Sequence, residues 1–322
     1  MKAARLSALD ALSRGIANVR ANRELVGIQI ASGLLLAASI VVPLLLVLSR
    51  LGIPFTAFTG NDPDALRQAI ESVQLNLDQV ASMLGLGLLL LLVVGTLVFL
   101  VYCWFQAGTL AVLAAGEAQA PMTFHAPPAV FRTFSWAGYF GWASRYGLRI
   151  FWVNNLFMIF LTVVLGVLAL PLLLVSRLWA GSGVVVACAA GCGMALPLGF
   201  VMVVLVLAMI VGQICAVEEG ATVRGATRRA FTIAGNRLGG LLLLYLLLIV
   251  GSIAVTILFG GVGLVIKLAL ARSAMLLTVL SVVLGAVEFI VSAGLTLVMT
   301  AAIVALVHAE PRTSTAPAQP GA

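Results

Sequence analysis

Six stretches of this chain each run for roughly 20 residues or more with almost no charge, the length a helix needs to cross the hydrocarbon of a bilayer. They lie near 25–49, 82–115, 150–175, 183–216, 239–259 and 274–308. A backbone inside lipid finds no water, so each stretch must satisfy its own hydrogen bonds as a helix. Composition agrees. The chain is 62% hydrophobic and 9% charged, where a soluble domain carries roughly 25% charged residues. The expected fold class is all-α: a polytopic membrane bundle of six transmembrane helices, one domain over 1–308, then a disordered tail at 309–322. The first apolar run is too long for a cleaved signal peptide and is expected to remain as an anchor.

Basic residues set the orientation. Lys2, Arg5, Arg14, Arg20 and Arg23 precede the first span, and Arg132, Arg145 and Arg149 precede the third. Arg224, Arg228, Arg229 and Arg237 precede the fifth, and Arg312 follows the last. These thirteen share one side, against Arg50, Arg67, Arg177, Lys267 and Arg272 on the other. The excess belongs in the cytoplasm, with both termini. Anionic lipid head groups then suffice as partners for the net charge of +7. Nucleic acid is not called for.

Two phrases repeat. "PLLLVLSRL" (43–51) and "PLLLVSRL" (171–178) close the first and third spans alike, with Pro43 and Pro171 near the outer ends of their helices. "SRGIANVRANRELVG" (13–27) also resembles "TRRAFTIAGNRLGGL" (227–241), which aligns Asn22-Arg23 with Asn236-Arg237. The chain therefore reads as three parallel-repeat hairpins, about 1–116, 117–217 and 218–308, each with a basic inner segment, an outgoing helix and a long returning helix. The returning helices start near 82, 183 and 274 at about 34 residues each, or about 51 Å, more than a bilayer needs. The outgoing helix of the third unit is expected to break at Gly260-Gly261.

Residues 6–19 place Leu6, Leu9, Leu12, Ile16 and Val19 at helical spacing with arginines beside them, the pattern of a helix lying on the inner leaflet. The segment 131–146 holds seven aromatic residues in sixteen. Trp136 and Trp142 suit the head-group layer, and Arg132, Arg145 and Arg149 can meet phosphates there. These five are the candidate lipid or partner contacts. Glu288 is the one acid well inside a span, where a carboxyl is costly; it is read either as a functional group or as a neutral acid hydrogen-bonded to a neighbouring helix, with Asn154 and Asn155 as expected partners.

Other features read as structure. Asp62, Pro63 and Asp64 start a short capped helix outside the membrane. Cys188 and Cys192 sit in "ACAAGCGMA", a run suited to close helix packing. His125 and His308 make no metal-ligand pattern, and no nucleophile or phosphate-binding motif is present. No catalysis, metal or cofactor is expected.

The stretch 214–249 resembles bacterial six-span membrane families, including the membrane domain attached to some glycerophosphoryl diester phosphodiesterases. The shared features are the acidic helix end at Glu218-Glu219 and the small-residue basic helix from Ala226 to Asn236, leading into a span. The resemblance implies the six-span plan and a bacterial inner-membrane location; the phosphodiesterase domain and its metal-binding acids have no counterpart here. Two functions follow. One is a non-catalytic protein that binds lipids or organises other membrane proteins through its inner-face helices. The other is a small secondary transporter with a polar site around Glu288.

Overall fold

A computed structural model describes residues 6–50, 77–121, 126–178, 183–270 and 273–311. These form helices α1 (Ala8–Ala21), α2 (Glu24–Arg50), α3 (Leu77–Gln119), α4 (Trp136–Leu178), α5 (Gly183–Glu218), α6 (Val223–Ala269) and α7 (Ala274–His308), with a 3-10 turn at Pro128–Phe131. No strand occurs among the described residues. Helices α2 to α7 are each long and apolar enough to cross a membrane. The chain is an all-α, multi-pass membrane protein.

Three helices, α3, α5 and α7, touch one another and form the centre. The other three lie outside them, each against two: α2 on α3 and α7, α4 on α3 and α5, α6 on α5 and α7. Close glycines set these contacts. A Cβ on Gly212 of α5 would sit 3.2 Å from Phe157 of α4 and 3.4 Å from Ala230 of α6. One continuous core results, and it is concentrated at the basic end. It takes in Cys103 to Ala114 of α3, Tyr139 to Phe157 of α4, Leu207 to Val217 of α5 and Leu297 to Val307 of α7. Nearer the other end, Leu88 to Val93 of α3 are exposed without interruption, on every face of the helix. Lipid is the solvent for that surface.

Helix boundaries depart from the apolar runs in four ways. First, α4 begins at Trp136 and α6 at Val223, so the second and third basic segments continue directly into their spans. Extending an existing helix is cheaper than stopping it, because every added residue gains a bond while a break exposes several backbone groups. Second, α6 passes through Gly260-Gly261 to Ala269. Two helical glycines cost roughly 1 kcal/mol each, less than the several kcal/mol of an unbonded backbone in lipid. Third, α2 continues past Pro43 to Arg50, and α4 to Leu178. Fourth, the returning helices have 43, 36 and 35 residues.

The aligned Asn-Arg pairs fall at corresponding breaks. Asn22 caps the end of α1 at φ −116° and ψ 49°. Arg237 is the one non-helical residue inside α6, at φ −119° and ψ 17°.

Helix α1 packs its small and polar side on the bundle and leaves Leu9 and Ile16 of its apolar stripe outward, while Val19 packs in. Its buried residues are Ala8, Ala11, Arg14, Gly15, Asn18 and Val19, whereas Leu9 is 64% and Ile16 42% exposed. The small and polar side packs inward because it lets backbones meet: a Cβ on Gly15 would stand 2.7 Å from both the Val298 carbonyl oxygen and the Ala302 nitrogen of α7. The helix at Asp62, the side chains of Cys188 and Cys192, His125 and the tail from Arg312 lie outside what the structure describes.

Candidate functional site

The basic end of the bundle is closed by a belt of polar contacts between segments far apart in sequence. It starts at α1, where Ser7 accepts from the Asp10 backbone N–H at 3.2 Å and caps the helix. About two turns on, Arg14 is 2% exposed. Its Nε and Nη2 donate to Glu117 Oε2 at 2.9 and 2.8 Å, and Nη1 donates to the Pro121 carbonyl at 2.9 Å. The guanidinium stands over the Phe131 ring, 5.4 Å from its centre. Glu117 is 1% exposed, and its Oε1 accepts no hydrogen bond among the described residues.

Asn22 organises the α1–α2 corner. Its Nδ2 donates to the Phe131 carbonyl at 2.8 Å, while Oδ1 accepts from the backbone N–H groups of Thr133 and Phe134 at 3.1 and 2.9 Å. Arg132 adds a two-pronged bond to Glu24, at 2.6 and 2.7 Å, and a third to the Ala21 carbonyl at 2.6 Å. The Glu24 carboxylate raises the pKa of Arg132 above its ordinary value. So the first candidate contact is a staple between α1–α2 and the start of α4.

The aromatic segment divides in the same way. Tyr139 is fully buried and donates its hydroxyl to the Phe105 carbonyl at 2.7 Å, with its ring against Gly108. Trp142 is half-buried against the core. Trp136 faces out at 56% exposed, stacked on Phe140 with ring centres 5.7 Å apart. Arg149 donates to the Gly220 carbonyl at 2.7 Å, which pins α4 to the α5–α6 turn. Gly220 takes φ +60°, a conformation that favours glycine. Arg145 is exposed, and its partner is the Tyr146 ring, 5.4 Å away.

Two ion pairs and a histidine–carboxylate contact complete the belt. His308 bonds Glu218, Arg229 meets Glu219 at 3.4 Å, and Arg237 bonds Glu310. Arg229 also donates to the Pro311 carbonyl at 2.5 Å.

Within the spans, the expected trio does not assemble. Asn154 is 3% exposed and bonded instead to Cys103 Sγ at 3.3 Å and to Gln213 at 2.5 Å. Asn155 turns back to the Phe151 carbonyl at 2.8 Å. The reason is position: α4 packs on α3 and α5, so its polar face meets Cys103 and Gln213 there. Glu288 is half-buried on α7 beside Phe289, whose ring packs on Gly33 of α2. It makes no hydrogen bond or ion pair among the described residues.

Sequence reasoning singled out Arg132, Trp136, Trp142, Arg145 and Arg149 and missed Arg14, Glu117, Asn22 and Gln213. The Asn-Arg echo was the available signal for Asn22. No protein-family model, curated protein or solved structure matches the chain.

Proposed function

We propose that this is a non-catalytic membrane protein of the bacterial inner membrane that binds lipids, and assembles membrane partners, through its cytoplasmic face. One observation carries the reading: residues 132–149 are tied along the basic end at both extremities. Arg132 is held at the α1–α2 corner and Arg149 at the α5–α6 turn, so the helix between them follows the edge of the bundle. It turns Tyr139 inward and presents Trp136, Phe140 and Arg145 outward. An aromatic surface with a cation beside it, at the boundary of a membrane bundle, suits the head-group layer. The matched Asn-Arg breaks support a common origin of the first and third hairpin units, and the basic residues of the inner segments favour entry from the cytoplasm.

The test is depth-dependent quenching of Trp136 in a variant that keeps it as the sole tryptophan, reconstituted in vesicles with lipid-borne quenchers. Strong quenching near the head groups is expected; water-like emission with no lipid quenching contradicts the reading.

A second reading, transport, rests on Glu288, a carboxyl in an apolar helix with no bonded partner among the described residues. Uptake lost on Glu288→Gln, with the fold intact, would favour it.

A further inference from the structure

The lipid reading can be narrowed to one place, because several of the arginines on this face are already held by protein groups. Arg14, Arg229 and Arg237 are paired with acids, Arg132 with Glu24, and Arg149 with a carbonyl. Arg145 differs. It lies one turn from Arg149 on the same face of α4, and both guanidiniums lie near the Tyr146 ring, at 5.4 and 5.6 Å. Like charges at this spacing repel. Neither has a carboxylate within salt-bridge distance among the described residues. An anion is therefore the missing complement.

What lies beside Arg145 decides which anion. Leu148 and Trp152, on the next two turns, are 60% and 55% exposed, and the same stripe continues through Ile159 and Val163 at 58% and 57%. A cation at the top of a continuous apolar stripe matches a phosphate joined to acyl chains. It does not match a free anion, which would gain nothing from the stripe.

We infer that Arg145 holds the phosphate of one anionic phospholipid, with Arg149 adding charge and an acyl chain lying along Leu148 and Trp152. This inference rests on the lipid-binding reading above.

The experiment is native mass spectrometry of the full chain released from nanodiscs of phosphatidylcholine with phosphatidylglycerol. Wild type, Arg145→Gln, Trp152→Ala and the exposed-arginine control Arg224→Gln are compared. Wild type is expected to retain phosphatidylglycerol over phosphatidylcholine. Arg145→Gln should lose about fivefold of that preference, the equivalent of roughly 1 kcal/mol for one basic side chain near an anionic lipid. Trp152→Ala should weaken both lipids alike, and Arg224→Gln should change neither. Equal loss in Arg224→Gln would show a diffuse charge effect and overturn the site. So would displacement of the lipid by millimolar inorganic phosphate, or a dimer in wild type that Arg145→Gln abolishes. No lipid preference in wild type sinks the lipid-binding reading itself; a preference untouched by Arg145→Gln sinks only the site.

Discussion

Removing Arg14 should undo the basic end of the bundle. In Arg14→Met the side chain keeps an unbranched apolar stem, but Glu117 is left at 1% exposure without the two charged bonds of 2.9 and 2.8 Å, and Pro121 loses the third. Leaving one member of a buried pair behind costs about 3–5 kcal/mol. Glu117→Leu leaves the opposite charge buried and should cost about the same. The double variant removes both charges and fills their space with apolar groups. It should recover most of the loss, with a coupling of about 3 kcal/mol or more. The assay is unfolding in mixed detergent micelles followed by far-ultraviolet circular dichroism for the four proteins. Single variants that each cost under about 1 kcal/mol would refute the reasoning. That is the range of solvent-screened pairs, and the belt would then not be a closed, dry junction.

Two further outcomes follow from the packing. Gly15→Ala should destabilise by about 1–3 kcal/mol, because its Cβ would meet the backbone of Val298 and Ala302 at 2.7 Å, where no side chain can yield. Gly27→Ala, with nothing within 4 Å, should be neutral or stabilising in the same thermal melt. Glu288→Leu should leave stability unchanged or raise it, since no hydrogen bond is lost and a costly carboxyl is removed; destabilisation beyond about 1 kcal/mol would reveal a bonding partner.

What could be read without coordinates was whatever the bilayer imposes locally. Six spans were legible because lipid forces about 20 apolar residues into each helix. The repeat of Asn22-Arg23 at Asn236-Arg237 marked where two helices break, because a break needs local chemistry that leaves a local trace. Contacts between distant segments left no such trace. Arg14 and Glu117 are separated by 103 positions, and neither has a patterned neighbourhood. Asn154 bonds Gln213 rather than the expected Glu288; that choice depends on which helices are neighbours, and apolar sequence does not encode that order. The apolar stripe of α1 was legible, but its division was not: Leu9 and Ile16 stay out while Val19 packs inward. Hydrophobic patterning locates the side a helix hides from water, and in a membrane lipid and protein share that side, so the pattern does not say which apolar residue meets which.

The account depends most on the chain entering the membrane three times from the same side. Reporter fusions after positions 60, 180 and 265 test this directly, using one reporter active only outside the cytoplasm and one active only within it. All three are expected to report the outside, as three hairpins require. A cytoplasmic signal at position 180 would contradict the account, since the long helix beginning at Trp136 would then not cross.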